Sequence, residues 1–432
     1  MHIVAHECNL PVVWYLMREK ARVMSKLPFK MIDADQHFYE TDDCFTRHLP
    51  RKWIDEGRAI QVVRREGEAT GRVMFGDRKV TYYGAAPTHS TGQPGAMLEY
   101  YKSGGHGSKG WFAQGMITAD DLPESRSRDV RLRYLDNDNI EAAIMLPSLE
   151  IGAEWLLSSD PEALGVNLTS YNMWLEEDWG FGADGRLFAA PCLALENPEW
   201  ACRELDRVLE RGAKLIHLRA GPVRGNLSPA DPRFDPFWAR VNEAGVTVCY
   251  HLSNTGEAEY YGALWGESYT RPLHRWTPFM RATCFGDRAI GDTLMALITH
   301  NLFGRFPNIN VFVLEYGSEW VLPMIRKMDR AARMSGKEDW AFGNIGERPR
   351  EVFKRHIKVS PFPEDDIAGL VQTLGAPCVL GGSDWPHPEG VHMPSDLVDH
   401  LPELTDEELR LIMRDNTGRA LGLVAPAPAA VA

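Results

Sequence analysis

Short apolar runs alternate along the chain with longer stretches whose apolar residues recur every three or four positions. The runs Phe29–Ala34, Ala142–Leu146, Leu187–Cys192, Ala213–Leu218, Val246–Tyr250, Asn310–Leu314, Ile357–Val359 and Cys378–Leu380 have the length of buried strands. The stretches Arg126–Asn137, Pro161–Asp178, Glu199–Arg211, Pro232–Ala244, Gly291–Phe303, Glu319–Met334, Glu364–Leu374 and Asp406–Leu421 carry helical spacing. Thr405, followed by Asp406 and Glu407, marks a helix start with acidic residues in its first turn, and Gly245 marks a helix stop. Strand followed by helix, about eight times over, predicts a parallel sheet, because parallel neighbours need crossover connections. Eight repeats predict an α/β fold of the closed (β/α)8 (TIM) barrel type. An open doubly wound sheet would place a glycine-rich phosphate loop after its first strand; the chain instead reads Asp35-Gln-His37-Phe-Tyr-Glu40.

Two segments break the repeat. Residues 55–120 hold short alternating strands joined by Gly/Asp turns and then a Gly/Ser-rich stretch containing His106, which predicts a β-ribbon and loop inserted after the first strand. Residues 252–285 form a long connection rich in Tyr, Trp and Arg, of the kind that lines a binding site. The expected organisation is an N-terminal extension (1–30), one barrel domain (31–424) and a flexible tail (425–432). The apolar run Leu10–Met17 lacks a preceding basic region and a following small-residue cleavage site, so it is not read as a signal peptide.

Composition narrows the function. With 60 acidic and 47 basic side chains the chain carries a net charge of -13, which disfavours nucleic acid as a partner. No segment offers the roughly 20 apolar residues of a membrane span. Seven scattered cysteines without a CxxC pair argue against a disulfide framework or a cysteine-type zinc site, and the expected location is the cytoplasm.

In a barrel of this kind the reacting groups lie at the C-terminal ends of the strands. Alternation after the first strand puts Asp33, Asp35 and His37 on one side. His251 ends the fifth strand, and Asp384 follows the eighth. Asp35, His37, His251 and Asp384 thus form a nitrogen and oxygen ligand set for one divalent ion, zinc by preference, with manganese or iron(II) as alternatives. Arg219, after the fourth strand, either clamps a substrate carboxylate or forms a structural ion pair, and Trp385 is the second candidate for contacting substrate.

These segments resemble the amidohydrolase superfamily, in the amidohydrolase-related branch that includes aminocarboxymuconate-semialdehyde decarboxylase. The resemblance runs from about Met31 to Leu423. It rests on the Asp-x-His start, on Asp231-Pro-Arg-Phe-Asp-Pro-Phe-Trp238, on Gly304-Arg-Phe-Pro307, on the segment Gly382 to Gly390 and on Ile412-Met-Arg-Asp-Asn416. Decarboxylase-type members carry a histidine after strand six; here Glu315 stands in its place, as a general base, a further ligand or a carboxylate orienting a ligand histidine. The resemblance implies that Asp384 accepts a proton from water; Glu315 is the other candidate acceptor, and His387 or His300 is the candidate acid for the leaving group. The leading expectation is a metal-dependent hydrolase attacking an amide, ester, lactone or C–C bond in a small cyclic or aromatic carboxylated substrate. The alternatives are a metal-dependent non-oxidative decarboxylase or hydratase, and a non-catalytic binding barrel. A homodimer or higher homo-oligomer is consistent with the resemblance.

Overall fold

The computed structural model describes residues 26–64, 71–82, 91–102, 116–224 and 226–426. The run Leu10–Met17 and His106 lie outside the described residues. Seven parallel strands lie where the apolar runs fall: β1 (Met31–His37), β2 (Ile140–Leu146), β3 (Leu187–Ala189 continued by Cys192–Leu193), β4 (Leu215–Leu218), β5 (Thr247–His251), β6 (Asn310–Leu314) and β7 (Ile357–Val359). Pro191 has no N–H to donate, so the ladder breaks inside β3. Hydrogen bonds from Ala190 N to Met145 O (3.0 Å) and from His217 N to Pro191 O (2.9 Å) bridge that break.

The eighth stave, around residues 379–381, makes a single bridge from Val379 to Val359. Leu380 N donates to Val359 O and Ala34 N to Gly381 O, both at 2.9 Å, and these bonds close the barrel. The C-terminal segment holds this stave in place. Its helix starts at Thr405, in a capping box with Glu408, and runs Asp406–Arg410; a π turn follows at Leu411–Asp415, then helix again at Asn416–Ala420. A π turn leaves a carbonyl outside the usual ladder. Gly381 N donates to Ile412 O at 2.9 Å, and the Asn416 amide donates to Ala376 O and Val379 O at 2.8 Å.

The helices surround the strands. Those used below are α1 (Arg128–Asn137), α2 (Pro161–Asp178), α3 (Pro198–Glu210), α4 (Asp235–Ala244) and α5 (Asp287–Thr299). Asp160 caps α2 and Asn197 caps α3, each accepting from a backbone N–H three residues on. Gly245, in the left-handed region at φ 63°, ends α4. The helix expected over Gly291–Phe303 starts earlier, at Asp287, and stops at Thr299, where Asn301 turns left-handed before a short helix at Leu302–Arg305. Ile32, Ile144, Phe188, Cys249, Phe312 and Leu380 pack together inside the barrel, while Phe237, Trp238, Ile290 and Leu294 fill the layer between strands and helices.

The insertion contributes antiparallel strands Ile60–Val63, Arg72–Phe75 and Arg78–Lys79, and its helix Ala96–Lys102 reaches the barrel mouth, where Met97 N donates to Pro388 O at 2.8 Å. Among the described residues no helix is long and apolar enough to cross a membrane.

Candidate metal centre

The chemistry of the site begins with a bulge in β1. Asp33 is paired with Ala143 and Gln36 with Met145, so Ala34 and Asp35 together face one residue of β2. The extra residue reverses the alternation. Ile32 and Ala34 line the barrel interior, and beyond the bulge Asp35 and His37 do so as well. This corrects the expectation that Asp33 shares a side with them. Asp33 instead faces the seam, where its carboxylate accepts from Asp35 N, Ser383 N, Ser383 Oγ (2.6 Å) and Gln36 Nε2 (2.8 Å). Burial outweighs those four bonds and pushes its pKa up to about 7.

Asp35, His37, His251 and Asp384 lie together in the barrel mouth, all buried. His37 Nε2 lies 3.3 Å from Asp35 Oδ1 and 3.2 Å from Asp384 Oδ1. His251 Nε2 lies 3.8 Å from Asp35 Oδ1 and 2.8 Å from Glu315 Oε2. Two overlapping sets (Asp35, His37, His251 and His37, Glu315, Asp384, His387) each bring their ligand atoms within 4.8 Å of one another. Despite this proximity Asp35 Oδ1, His37 Nε2, His251 Nε2 and Glu315 Oε2 form no aligned hydrogen bond. Buried polar atoms are normally paired. Atoms that converge without pairing suit a cation, and the donor set of imidazole and carboxylate suits a divalent one. His251 Nδ1 is 3.0 Å from Leu252 O, a carbonyl that can only accept, so Nδ1 carries the hydrogen and Nε2 presents its lone pair to the cluster.

The electrostatics agree. Burial raises Asp35 and lowers His251. Burial also disfavours the His37 cation, yet the carboxylates of Asp35 and Asp384 beside it raise its pKa to about 10. Burial works against the Asp384 carboxylate too, but His387 and His37 hold it well below the usual range. Glu315 is driven well above its ordinary value by burial and then by Asp384, Glu389 and Asp35. Glu315 and Asp384 both adopt a left-handed backbone at φ 55°; the other non-glycine residues that do so among those described are asparagines, which tolerate it. Strain is thus held at the two carboxylates that close the mouth.

Neighbouring groups fix these side chains. Asp384 N donates to Asp35 O (2.9 Å) and His37 N to Trp385 O (2.8 Å), which joins the two ligand-bearing segments. His387 places Nδ1 2.9 Å from Asp384 Oδ1 and Nε2 3.0 Å from Ser148 Oγ, whose hydroxyl donates to Phe38 O. Arg131, from α1, is wholly buried and donates to His37 O at 2.6 Å and to Gln36 Oε1 at 3.0 Å. Sequence reasoning missed Ser148, Arg131 and Glu389. Ser148 lies just past the end of β2, so the strand-end rule applied to β2 finds it; Arg131, inside a helix, gave no signal.

Three candidates do not join the cluster. Arg219 is committed elsewhere: its guanidinium donates to Glu154 and Glu196 at 3.2 Å and to the carbonyls of Ala220 and Pro222. Trp385 is fully buried, stacked 4.3 Å from Tyr134 with Arg131 over its ring, and offers no face to a ligand. His300 caps the C-terminal end of α5, which returns toward the start of β6, and its Nδ1 lies 2.8 Å from Ser228 Oγ.

A cleft of about 210 Å³ leads to Glu315, walled by Phe285, Tyr316, Trp320 and Phe362, with Asp287 and Glu319 on its rim. No cationic side chain is among the described residues lining it.

A family profile described as amidohydrolase matches residues 167–423. The chain is 25% identical over 279 residues to gamma-resorcylate decarboxylase of Rhodococcus jostii (strain RHA1), covering 60% of this chain and 77% of that one. It is 22% identical over 298 residues to 2-amino-3-carboxymuconate-6-semialdehyde decarboxylase of Dictyostelium discoideum, covering 68% and 76%. The crystal structure of an amidohydrolase from Mycobacterium avium subsp. paratuberculosis K-10 superposes with a TM-score of 0.82 at 34% identity, covering 92% of this chain and all of the other. The fold is also that of 5-carboxyvanillate decarboxylase from Novosphingobium aromaticivorans DSM 12444, described with bound manganese, at 16% identity and a TM-score of 0.57 over 92% and 97% of the two chains.

Proposed function

The chain belongs to the amidohydrolase family, and from that premise we propose that it is a divalent-metal-dependent enzyme that removes the carboxyl group of a small hydroxylated or amino-substituted aromatic acid as carbon dioxide. The observation that carries this reading is the convergence of Asp35, His37, His251 and Asp384, with Glu315 beside them. The two relatives above, both named as decarboxylases of unsaturated or aromatic acids, favour it over the hydrolysis expected from the sequence. Those four residues would hold the ion. Manganese, described with the carboxyvanillate enzyme, is the first to test, and zinc and iron(II) are the alternatives the donor set allows. When bound, such an ion supplies a fixed positive charge that stabilises negative charge developing on the substrate.

The chain's own groups do the rest. The aromatic walls of the cleft receive a single ring, and its acidic rim accepts from hydroxyl or amino substituents. Arg219 is fully engaged elsewhere and, among the described residues, no cationic side chain lines the cleft, so the substrate carboxylate is directed toward the ligand cluster. Burial among carboxylates keeps a proton on Glu315. As the bond between ring carbon and carboxyl carbon breaks, its electron pair stays on the ring carbon, Glu315 delivers its proton there, and carbon dioxide leaves. His387, fixed between Asp384 and Ser148, keeps the Asp384 carboxylate oriented.

One observation favours hydrolysis as a second reading. Glu315 replaces the histidine expected after the sixth strand, and an ionised glutamate there would serve as base for an attacking water. The test incubates manganese-loaded enzyme with a panel of hydroxybenzoates, and with esters and lactones of the same rings. Carbon dioxide release, lost in Asp384→Asn and His37→Ala, is expected. Release of acid and alcohol from the esters without carbon dioxide from the acids would replace this reading with the second.

A further inference from the structure

On the β2–β4 side of the mouth lies a second cluster that the proposed reaction does not use. Glu150 stands in the turn Glu150–Gly152 after β2, Cys192 in β3 and His217 in β4. All three are fully buried. By strict geometry neither carboxylate oxygen of Glu150 and neither ring nitrogen of His217 makes an aligned hydrogen bond, though the Cys192 thiol approaches the Glu150 carboxylate. Glu150 Oε2 and His217 Nδ1 are 3.7 Å apart, too far for a hydrogen bond, and one ligand atom from each of the three residues lies within 4.8 Å of the others. Buried ligand atoms that converge in this way, one from each residue, call for a common partner. The cluster is separate from the first: the His217 and His251 rings lie 6.4 Å apart, centre to centre.

We propose that Glu150, Cys192 and His217 bind a second divalent cation, of the borderline-soft class to which zinc and cobalt(II) belong. Carboxylate, thiolate and imidazole together select such an ion over magnesium or calcium. Three protein ligands also leave a position open, as in sites where the ion takes a further group. Binding requires the Cys192 thiol to ionise, and its proton leaves to solvent. The inference is independent of the reaction proposed above.

Cobalt(II) is the probe, because a cobalt–thiolate bond gives sulfur-to-metal charge-transfer absorption in the near ultraviolet. The purified full chain, loaded with cobalt, is expected to hold two equivalents and to show that absorption. Cys192→Ser should lose the band and one equivalent, and His217→Asn should lose one equivalent. His37→Asn should lose the other equivalent and keep the band, which separates this site from the first. Wild-type protein without the absorption overturns the proposal, and that measurement needs no variant to fold. A band that survives Cys192→Ser overturns it as well.

Discussion

Gly382 offers a sharp test of how the proposed metal centre is held. It lies where the eighth stave passes Asp35. A Cβ added there would come 2.7 Å from Ser360 Oγ and 2.8 Å from Asp35 Cβ, against ordinary contact from 3.4 Å. The Ser360 hydroxyl can rotate away. The Asp35 Cβ cannot, because β1 carries it and the Asp35 carbonyl is bonded to Asp384 N at 2.9 Å. Gly382→Ala must therefore displace Asp35 by about 0.6 Å, the difference between 3.4 and 2.8 Å. Metal ligands tolerate only about 0.2 Å. Overpacking of this kind costs about 1–3 kcal/mol of stability. Disturbing one ligand's support lowers metal affinity about 10–100-fold, or roughly 1.4–2.7 kcal/mol. Calorimetric titration with manganese measures the affinity, and thermal unfolding in chelator measures the stability separately. A variant with the affinity and melting temperature of the wild type would show that Asp35 does not depend on this close approach.

Three further outcomes are expected. Glu315→Gln keeps the shape of the side chain but cannot deliver a proton, so kcat for carbon dioxide release should fall about 10²–10⁴-fold with metal content unchanged; a near-normal kcat counts against Glu315 as the acid. Arg219→Met strands the buried Glu154 and Glu196, which should destabilise the fold by about 3–5 kcal/mol in denaturant titrations while leaving KM alone; a raised KM with normal stability would make Arg219 a substrate clamp after all. Hydrogen bonds from Arg58 hold the Asp160 carboxyl below its ordinary pKa of 3.8, and Asp160 also caps α2. Its ionised form therefore stabilises the fold at neutral pH, and that contribution is lost as pH falls through the carboxylate range. Asp160→Ala should cost about 1 kcal/mol at neutral pH, and the gap to wild type should shrink in acid; a gap that widens as pH falls contradicts the assignment.

Much of the frame was legible because barrel strands are buried on both faces and helices on one. The apolar runs Asn310–Leu314 and Ile357–Val359, and the helix Pro161–Asp178, end where the structure ends them. The same logic led to the cluster, since His37 and His251 are the last residues of β1 and β5, and Glu315 follows β6 directly. The bulge was not legible. Asp33, Asp35 and His37 alternate in the sequence whether or not the strand carries an extra residue, and only its pairing with β2 shows that Asp33 faces the other way. Arg219 stayed open between clamp and ion pair for a related reason: its partners Glu154 and Glu196 are remote in sequence, and nothing near Arg219 announces them. Trp385 follows a candidate ligand directly, yet backbone direction turns it into the core.

The seam between the first and last staves also bears on how the chain is made. Asp33 is tied to Ser383, 350 positions later, and the last stave is itself held by Ile412 and Asn416. As the chain leaves the ribosome, β1 therefore emerges long before the segment that completes its hydrogen bonding. Until the eighth stave follows, the nascent molecule is an open sheet with two unsatisfied borders, and edges of that kind invite pairing with other chains. Contacts so distant in sequence also form slowly. A nascent chain stopped just short of Leu411 would thus leave the ribosome with all its staves but without the bonds from Ile412 and Asn416 that brace the last one, and aggregation during synthesis is the hazard this connectivity carries.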